Sequence, residues 1–342
     1  MIVIPNNNNC SWEESMTIEI KTATLEPVRN TYANVERRFG DKPATRYQEA
    51  TYDLQSETNF HYRPLWQPDL ELNDTRRTAI EMADWYALKD PRQFYYGTYV
   101  QQRAKMQENA ESNYAFFEKR DLARHLSDAQ QAEVIRFLVP LRHLEHTANL
   151  NNMYGAAYGY GTAVTQALLF DGMDRLGIAQ YLSRIGLILD GNTGEALEEA
   201  KRQWMEADIW QGLRALCEEM LVTEDWFEVF VAQDLVVDTL VYDLVYGQFD
   251  QYLADSGAQD VAMLTEFMQL WYKDSSRWVD AVIKETANES EENKALLKQW
   301  IEKWRGKAAE ALAPLAPAML NDEALAQSLA ELDKRVAKAG IK

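Results

Sequence analysis

Beyond residue 91, apolar positions return with the period of a helix along most of the chain. Residues 127–153 put Val134, Phe137, Leu138, Leu141 and Leu144 at helical spacing, behind Ser127 or Asp128 as the capping residue. Pro140 falls inside this stretch. A proline in a helix interior costs about 3 kcal/mol, so a kink is expected there. A second helix opens at Asn192, with Glu195 three residues on in the manner of a capping box. It buries Leu197, Ala200, Trp204, Leu213, Leu216, Cys217 and Met220, while Glu198 and Arg202 are spaced to pair on its wet side. Ser290 caps another, with Leu297, Trp300, Ile301, Trp304 and Ala308 in register, and Pro314 and Pro317 stop it. A short amphipathic helix follows Asn321 through Leu325, Leu329, Leu332 and Val336.

Residues 226–246, WFEVFVAQDLVVDTLVYDLVY, break the alternation by being apolar nearly all round. Valine density suggests a strand. The length argues otherwise, since strands rarely exceed about ten residues. The pattern predicts a helix buried on most sides, the central member of a large all-α bundle.

Residues 16–90 read differently. Five of the nine prolines precede Pro91, and helical patterns are brief. This stretch predicts an extended arm with aromatic anchors at Tyr47, Phe60, Tyr62 and Trp66. Such an arm builds no core of its own and must lie on the bundle or on a neighbouring subunit. The organisation expected is a leader at 1–15, the arm at 16–90, the bundle at 91–287 and C-terminal helices at 288–342. The leader, MIVIPNNNNCSWEES, has neither a basic region nor an apolar run, so it is no signal peptide, and the native start is placed at Met16.

Composition narrows the function classes. The 342 residues carry 35 Lys+Arg against 54 Asp+Glu, a net charge of −19, with basic residues never clustered beyond pairs such as Arg37-Arg38. That balance argues against nucleic acid or an anionic membrane as partner. No apolar stretch has the length of a transmembrane helix. Of two cysteines, Cys10 lies in the leader, which leaves Cys217. The pattern is that of a reducing compartment, and a cytoplasmic location is expected.

The chemistry motifs are mostly missing. There is no P-loop, GxSxG, HExxH or CxxC. Gly159-Tyr160-Gly161 begins like a dinucleotide loop but sits among helices, and Gly155 with Gly159 is better suited to close helix approach. Dinuclear iron bundles use Glu-x-x-His on two helices and a Glu from each of two others. The histidines are His61, His125, His143 and His146, and three residues before them stand Thr58, Leu122, Pro140 and His143. None is glutamate, so a conventional diiron centre cannot be built from this chain alone. His143 and His146 share a helical face and allow a two-histidine metal or proton site. A transition-metal site needs further ligands that are not signalled, so bonding to neighbouring polar groups is expected. Asp234, Asp238 and Asp243, with Glu228, sit on the apolar central helix. They are either a carboxylate-only cation site or, as buried charge requires, partners of arginines such as Arg175 or Arg184. Glu266-x-x-Gln269 is a ligand slot without its histidine, and Trp271, Tyr272 and Trp278 beside it read as core.

Five ordered blocks then become distinctive: RRFGDKPATRYQEA at 37–50, NFHYRPLW at 59–66, DPRQFYYGTYVQQRAKMQE at 90–108, DRLGIAQYLSRI at 174–185 and LTEFMQLWYKDSSRW at 264–278. From Met16 onward the chain resembles the β subunit of bacterial multicomponent phenol hydroxylases, cousins of which serve methane, toluene and alkene monooxygenases. The resemblance implies a ferritin-like helical fold that lacks the diiron site, in an α2β2γ2 hydroxylase. It implies that the α subunit holds the diiron centre. A small regulatory protein and an NAD(P)H-dependent reductase with FAD and a 2Fe-2S cluster complete the implied system. The implied reaction converts phenol and methylphenols to catechols with O2. This chain would be inactive alone, with no catalytic or metal-binding residue and no cofactor of its own. Arg46, Tyr47, Tyr62, Arg63, Trp66 and Trp85 are the expected subunit-interface residues. The alternatives are a β subunit of a related toluene or alkene monooxygenase, a helical scaffold with no oxygenase role, or a self-sufficient oxidase with a carboxylate site at Asp234 and Asp238.

Overall fold

The computed structural model describes residues 32–56 and 63–341, and every regular element among them is helical. Two short helices, α1 (Ala33–Phe39) and α2 (Arg46–Glu49), belong to the arm. The bundle follows as α3 (Tyr96–Lys119), α4 (Asp128–Phe137), α5 (Leu141–Tyr158), α6 (Thr162–Leu189), α7 (Glu195–Glu206) and α8 (Asp208–Leu221). Next come α9 (residues 226–255), α10 (Ala262–Glu289), α11 (Glu291–Leu312), α12 (Leu315–Met319) and α13 (Ala324–Lys338).

The central segment is the buried helix its pattern predicts. From 226 to 246 only Glu228 and Asp243 escape full burial. Asp225 starts it, accepting from the Phe227 and Glu228 amides. Its rhythm is not uniform, because two π-turns, Val231–Val237 and Asp243–Phe249, interrupt the α-helix. Each wide turn lets side chains five apart bond: Gln233 to Asp238 and Gln248 to Asp243, both at 2.9 Å. Around α9 pack α5, α10, α11 and α13. Trp210, Trp226, Trp271, Trp278 and Trp304 are all fully buried in this one core.

Three helix expectations are corrected. The helix over 127–153 is not kinked at Pro140 but broken there, into α4 and α5, with Pro140 capping the second. A proline at a helix start costs nothing, because its missing N–H would have been unpaired. The helix from Asn192 is likewise two helices, split at Ala207. Its cap is Gly194, while Asp190 accepts from the Thr193 and Ala196 amides. Arg202 bonds Glu199 at 2.6 Å, three residues back, rather than Glu198. The Ser127 and Ser290 caps are as predicted, accepting from the Gln130 and Asn293 amides.

The described part of the arm lies on the bundle. Tyr47 is buried, and the Asp90 amide donates to its hydroxyl at 2.9 Å. Arg38 bridges Asp53 (2.7 Å) and Asp84 (2.6 Å). Farther along, the Ala79 amide donates to Asp225 (2.7 Å) and the Ala83 amide to Glu289 (2.9 Å). The expected leader, 1–15, lies outside the described residues, as do Phe60 and Tyr62.

Candidate functional site

The most concentrated polar chemistry is a cage inside the bundle, built by four helices. α5 and α6 run antiparallel and touch closely. A Cβ at Gly155 would fall 2.8 Å from Leu168 Cδ1, so that glycine permits the approach expected of it. Gly159 ends α5, and Gly161, at φ +90°, turns the chain into α6. The glycine pair is therefore an interhelical turn. Across this hairpin lie α9 and α10.

Arg175 of α6 stands at the centre, 1% exposed. Its guanidinium donates to Asp171 on the same helix (3.1 Å), to Glu145 on α5 (3.2 Å), to Asp234 on α9 (3.1 Å) and to Asp238 one turn further along α9. The plane also lies over the Trp271 ring, 4.3 Å from its centroid. Each carboxylate has a second, uncharged donor. The Tyr242 hydroxyl donates to Glu145 (2.9 Å), Ser275 to Asp171 (2.7 Å), Asn152 to Asp234 (3.0 Å) and Gln233 to Asp238 (2.9 Å). These nine polar side chains are buried in the core of the helices, where charged residues are rarely found unless paired.

Four carboxylates around one guanidinium exceed neutrality, and burial sets the consequence. Burial pushes the Glu145 carboxyl up to about 7, against the pull of Arg175. Burial, with Asp171 and Asp238 nearby, holds Asp234 well above the usual carboxylate range. Burial raises Asp238 as well, opposed by Arg175. Burial works against the Arg175 charge, but Asp238, Asp171 and Glu145 more than offset it and keep the group cationic. Asp234 Oδ2 and Asn152 Oδ1 have no hydrogen-bond partner.

A second network lies one turn away on the same helices. Asp174 accepts from Tyr99 Oη (2.8 Å), Arg103 Nε (2.9 Å) and Trp271 Nε1 (2.9 Å). It ties α3 and α10 to α6.

The arginine pairing expected for Asp234 and Asp238 is present with Arg175. Arg184 instead bonds Glu111 (2.7 Å) and Glu118 (3.1 Å) at the surface. Asp243 accepts from Ser328 (2.6 Å), and Glu228 from Lys303 (2.6 Å) and Trp304 Nε1 (2.9 Å). His143 is stacked on Trp204 with ring centroids 5.6 Å apart, and burial with Arg142 nearby pushes its pKa down to about 4. His146 is exposed. Glu266 accepts from Asn113 (2.6 Å), and Gln269 donates to the Tyr246 carbonyl (3.0 Å).

Of the expected interface residues, Arg46 is exposed and Arg63 pairs with Glu71 at the surface. Trp66 is 55% exposed and meets Tyr158 edge-on. Tyr47 and Trp85 are turned inward, Trp85 against Tyr160 and Trp226. Tyr62 lies outside the described residues. The contributions missed are those of Glu145 and Asp171. Their signal was present: Leu141, Glu145, Ala148 and Asn152 share one helical face, which marks Glu145 as inward-facing.

The family of such bundles implies a dinuclear iron centre, and the residues present do not fit one. The cage has no histidine, its centre is a guanidinium, and among the described residues no group of His, Cys, Asp and Glu is disposed to hold a metal ion.

Comparison with known proteins places these observations. The family model described as Methane/Phenol/Alkene Hydroxylase matches residues 66–290. The chain is 56% identical over 326 residues to the phenol 2-monooxygenase oxygenase component MhpL of Acinetobacter pittii (strain PHEA-2), covering 95% of this chain and 98% of that one. It is 53% identical to the corresponding component DmpL of Pseudomonas sp. (strain CF600), covering 96% and 99%. A crystal structure of xenon-pressurized phenol hydroxylase from Pseudomonas sp. OX1 superimposes with a TM-score of 0.88 at 53% identity, covering 94% and 98%. Toluene 4-monooxygenase, at 22% identity and a TM-score of 0.71, shares the fold.

Proposed function

The chain belongs to the methane/phenol/alkene hydroxylase family, and from that premise we propose that it is the non-catalytic β subunit of a phenol 2-monooxygenase. In this reading it is a helical frame bound to the α subunit, whose diiron centre supplies the oxygen chemistry. The hydroxylase is an α2β2γ2 assembly in the cytoplasm. A small regulatory protein and an NAD(P)H-dependent reductase carrying FAD and 2Fe-2S serve it, and phenol and methylphenols leave as catechols. The observation that carries the non-catalytic role is Arg175. A guanidinium bonded to four carboxylates is buried among α5, α6 and α9, and inward-facing carboxylates held by an arginine are not the Glu-x-x-His set of a diiron bundle.

The contribution of such a subunit is rigidity. Geometry at a metal centre depends on the shell of residues that supports its ligands. A frame locked by buried ion pairs and five fully buried tryptophans suits that task. In the proposed arrangement residues 16–90 contact the partner subunits, 91–287 form the bundle and 288–342 brace it. Arg46, Tyr62, Arg63 and Trp66 are the interface contacts, while Tyr47 and Trp85 anchor the arm from beneath.

The test is co-expression of the α and γ subunits, the regulatory protein and the reductase with and without this chain, followed by an assay of phenol conversion to catechol. Omission should abolish conversion, and the isolated chain should carry no stoichiometric iron. Full conversion without the chain would overturn the proposal.

A further inference from the structure

Charge and apolar surface are inverted along the α5–α6 hairpin. The chain is 26% charged, yet the acidic and basic side chains within 147–183 are Asp171, Asp174 and Arg175 alone, and all three are buried. The outward positions are apolar instead. Leu150 on α5 and Leu169, Met173 and Leu176 on α6 are each 37–45% exposed. A surface helix ordinarily does the reverse, with its apolar stripe inward and its charges in water.

These side chains form one face. Met153, half-buried on α5, lies over Gly172 of α6 and joins the two stripes, since a Cβ at Gly172 would fall 2.9 Å from Met153 Cε. Toward the loop, Tyr154 meets Tyr158, and Tyr158 meets the exposed Trp66. On the other flank α3 runs beside α6, with Tyr99 stacked on Phe170 at 4.3 Å, and it exposes Tyr96 and Val100. A groove of about 380 Å3 opens between them, walled by Tyr99, Arg103 and Gln107 on α3 and by Met173, Gly177 and Gln180 on α6. A Cβ at Gly177 would meet nothing, which leaves room there for a side chain from outside. With Leu65 beside Trp66, this face holds eight of the sixteen large apolar side chains exposed among the described residues. Beneath it, the Arg175 and Asp174 networks fix both helices to α9, α10 and α3, so the face is rigid before any partner arrives.

We propose, resting on the β-subunit reading above, that this face seats the α subunit, and that the partner presents an uncharged helical surface to it. Size and charge support that occupant. Two helices roughly 30 Å long and about 9 Å apart present a face on the order of 600 Å2. With α3 and Trp66 added it approaches the roughly 800 Å2 per partner of a stable interface, beyond the few hundred Å2 of an ordinary surface patch. A charge on the partner would be buried here without a counter-ion, which selects an uncharged surface. A second copy of this chain fits less well, because each copy brings a charge of −19 to the pairing.

The test co-expresses the full chain with α and γ and measures the α that co-purifies. Leu169→Asp and Leu176→Asp sit at exposed positions and should leave the circular dichroism of the chain unchanged. Each should lower recovered α at least about tenfold, because a charge is then buried unpaired. Leu176→Met should recover α like wild type. A measurement on wild type does not depend on how the variants fold. Brief treatment with hydrogen peroxide should oxidise Met173 in the isolated chain and spare it in the hydroxylase. Equal oxidation in both states, or folded aspartate variants that recover α in full, would overturn the face while leaving the β-subunit reading intact. A wild-type chain that dimerises alone, is split by either substitution and still recovers α would give the face to a second copy and overturn it too. Wild type that recovers no α would remove the β-subunit reading itself.

Discussion

Glu145 and His143 lie two residues apart and pull the pH dependence of stability in opposite directions. Burial raises the Glu145 carboxyl from 4.5 to about 7, so the folded chain binds this proton more tightly than the unfolded one. Its contribution is fully present below pH 4.5 and is lost as pH rises through 7, with a size of up to about 3 kcal/mol. Burial lowers His143 from 6.5 to about 4, so its contribution is present above pH 6.5 and is lost as pH falls through 4. The two windows overlap, so it is substitution that separates them, in denaturant midpoints followed from pH 4 to pH 8. Glu145→Gln should reduce the fall in stability between those values, and His143→Phe should reduce the loss on acidification below 6. An unchanged pH profile in Glu145→Gln would mean that its carboxyl titrates normally. At this scale the sequence was partly legible. Arg175 was named beside Asp234 and Asp238 because buried acids need a cation. Glu145 is less legible because it lies between His143 and His146, which share a different face of α5.

Helix rhythm was readable because one stripe of each helix must be buried, and that stripe recurs every 3.6 residues whatever the partner. Breaks were less readable. Apolar phase continues across Pro140 and across Ala207, so pattern alone joins helices that the backbone separates. The π-turns of α9 were invisible for a related reason: when every face is buried, no stripe remains to show a change of period. Two glycines show what else a rhythm hides. A Cβ at Gly212 on α8 would fall 2.7 Å from the Ala311 carbonyl oxygen and 2.9 Å from its Cα, both backbone atoms of α11. Gly212→Ala must push two helices apart and should cost about 1–3 kcal/mol, as other overpacked cores do. Gly306 on α11 is exposed and has open space around it. Gly306→Ala should instead stabilise by about 0.4–1 kcal/mol, by removing freedom from the unfolded chain. Urea denaturation of both variants checks the pair. Equal effects of one sign would show that the α8–α11 contact is not tight.

For the whole molecule the division of labour falls between bundle and arm. Prolines and brief patterns predict an arm over 16–90, and among its described residues Tyr47, Ala79 and Ala83 make contacts with residues beyond 89. The sequence could not say which aromatic anchors face inward. Tyr47 and Trp85 look like Trp66 on paper, yet the first two are buried and Trp66 is 55% exposed. The difference is set by which bundle residues wait beneath: Asp90 for Tyr47, and Tyr160 with Trp226 for Trp85. Arm removal therefore has two separable consequences. Deleting residues 16–60 discards the Arg38 bridges and the Tyr47 anchor, which should lower thermal stability. It leaves α3 to α13 and their main core, so the helical circular dichroism should persist. If the arm also contacts partner subunits, the shortened chain should no longer co-purify with α and γ, because an obligate interface of that kind buries roughly 2,000 Å2 or more and tolerates little loss. A milder deletion of residues 16–31 keeps every described contact of the arm with the bundle. Loss of co-purification in both truncations, with thermal stability lost only in the longer, would assign assembly to the segment before residue 32. Stoichiometric co-purification of the longer truncation with α would remove residues 16–60 from the interface and leave it to the rest of the arm, with Arg63 and Trp66, and to the exposed faces of the bundle.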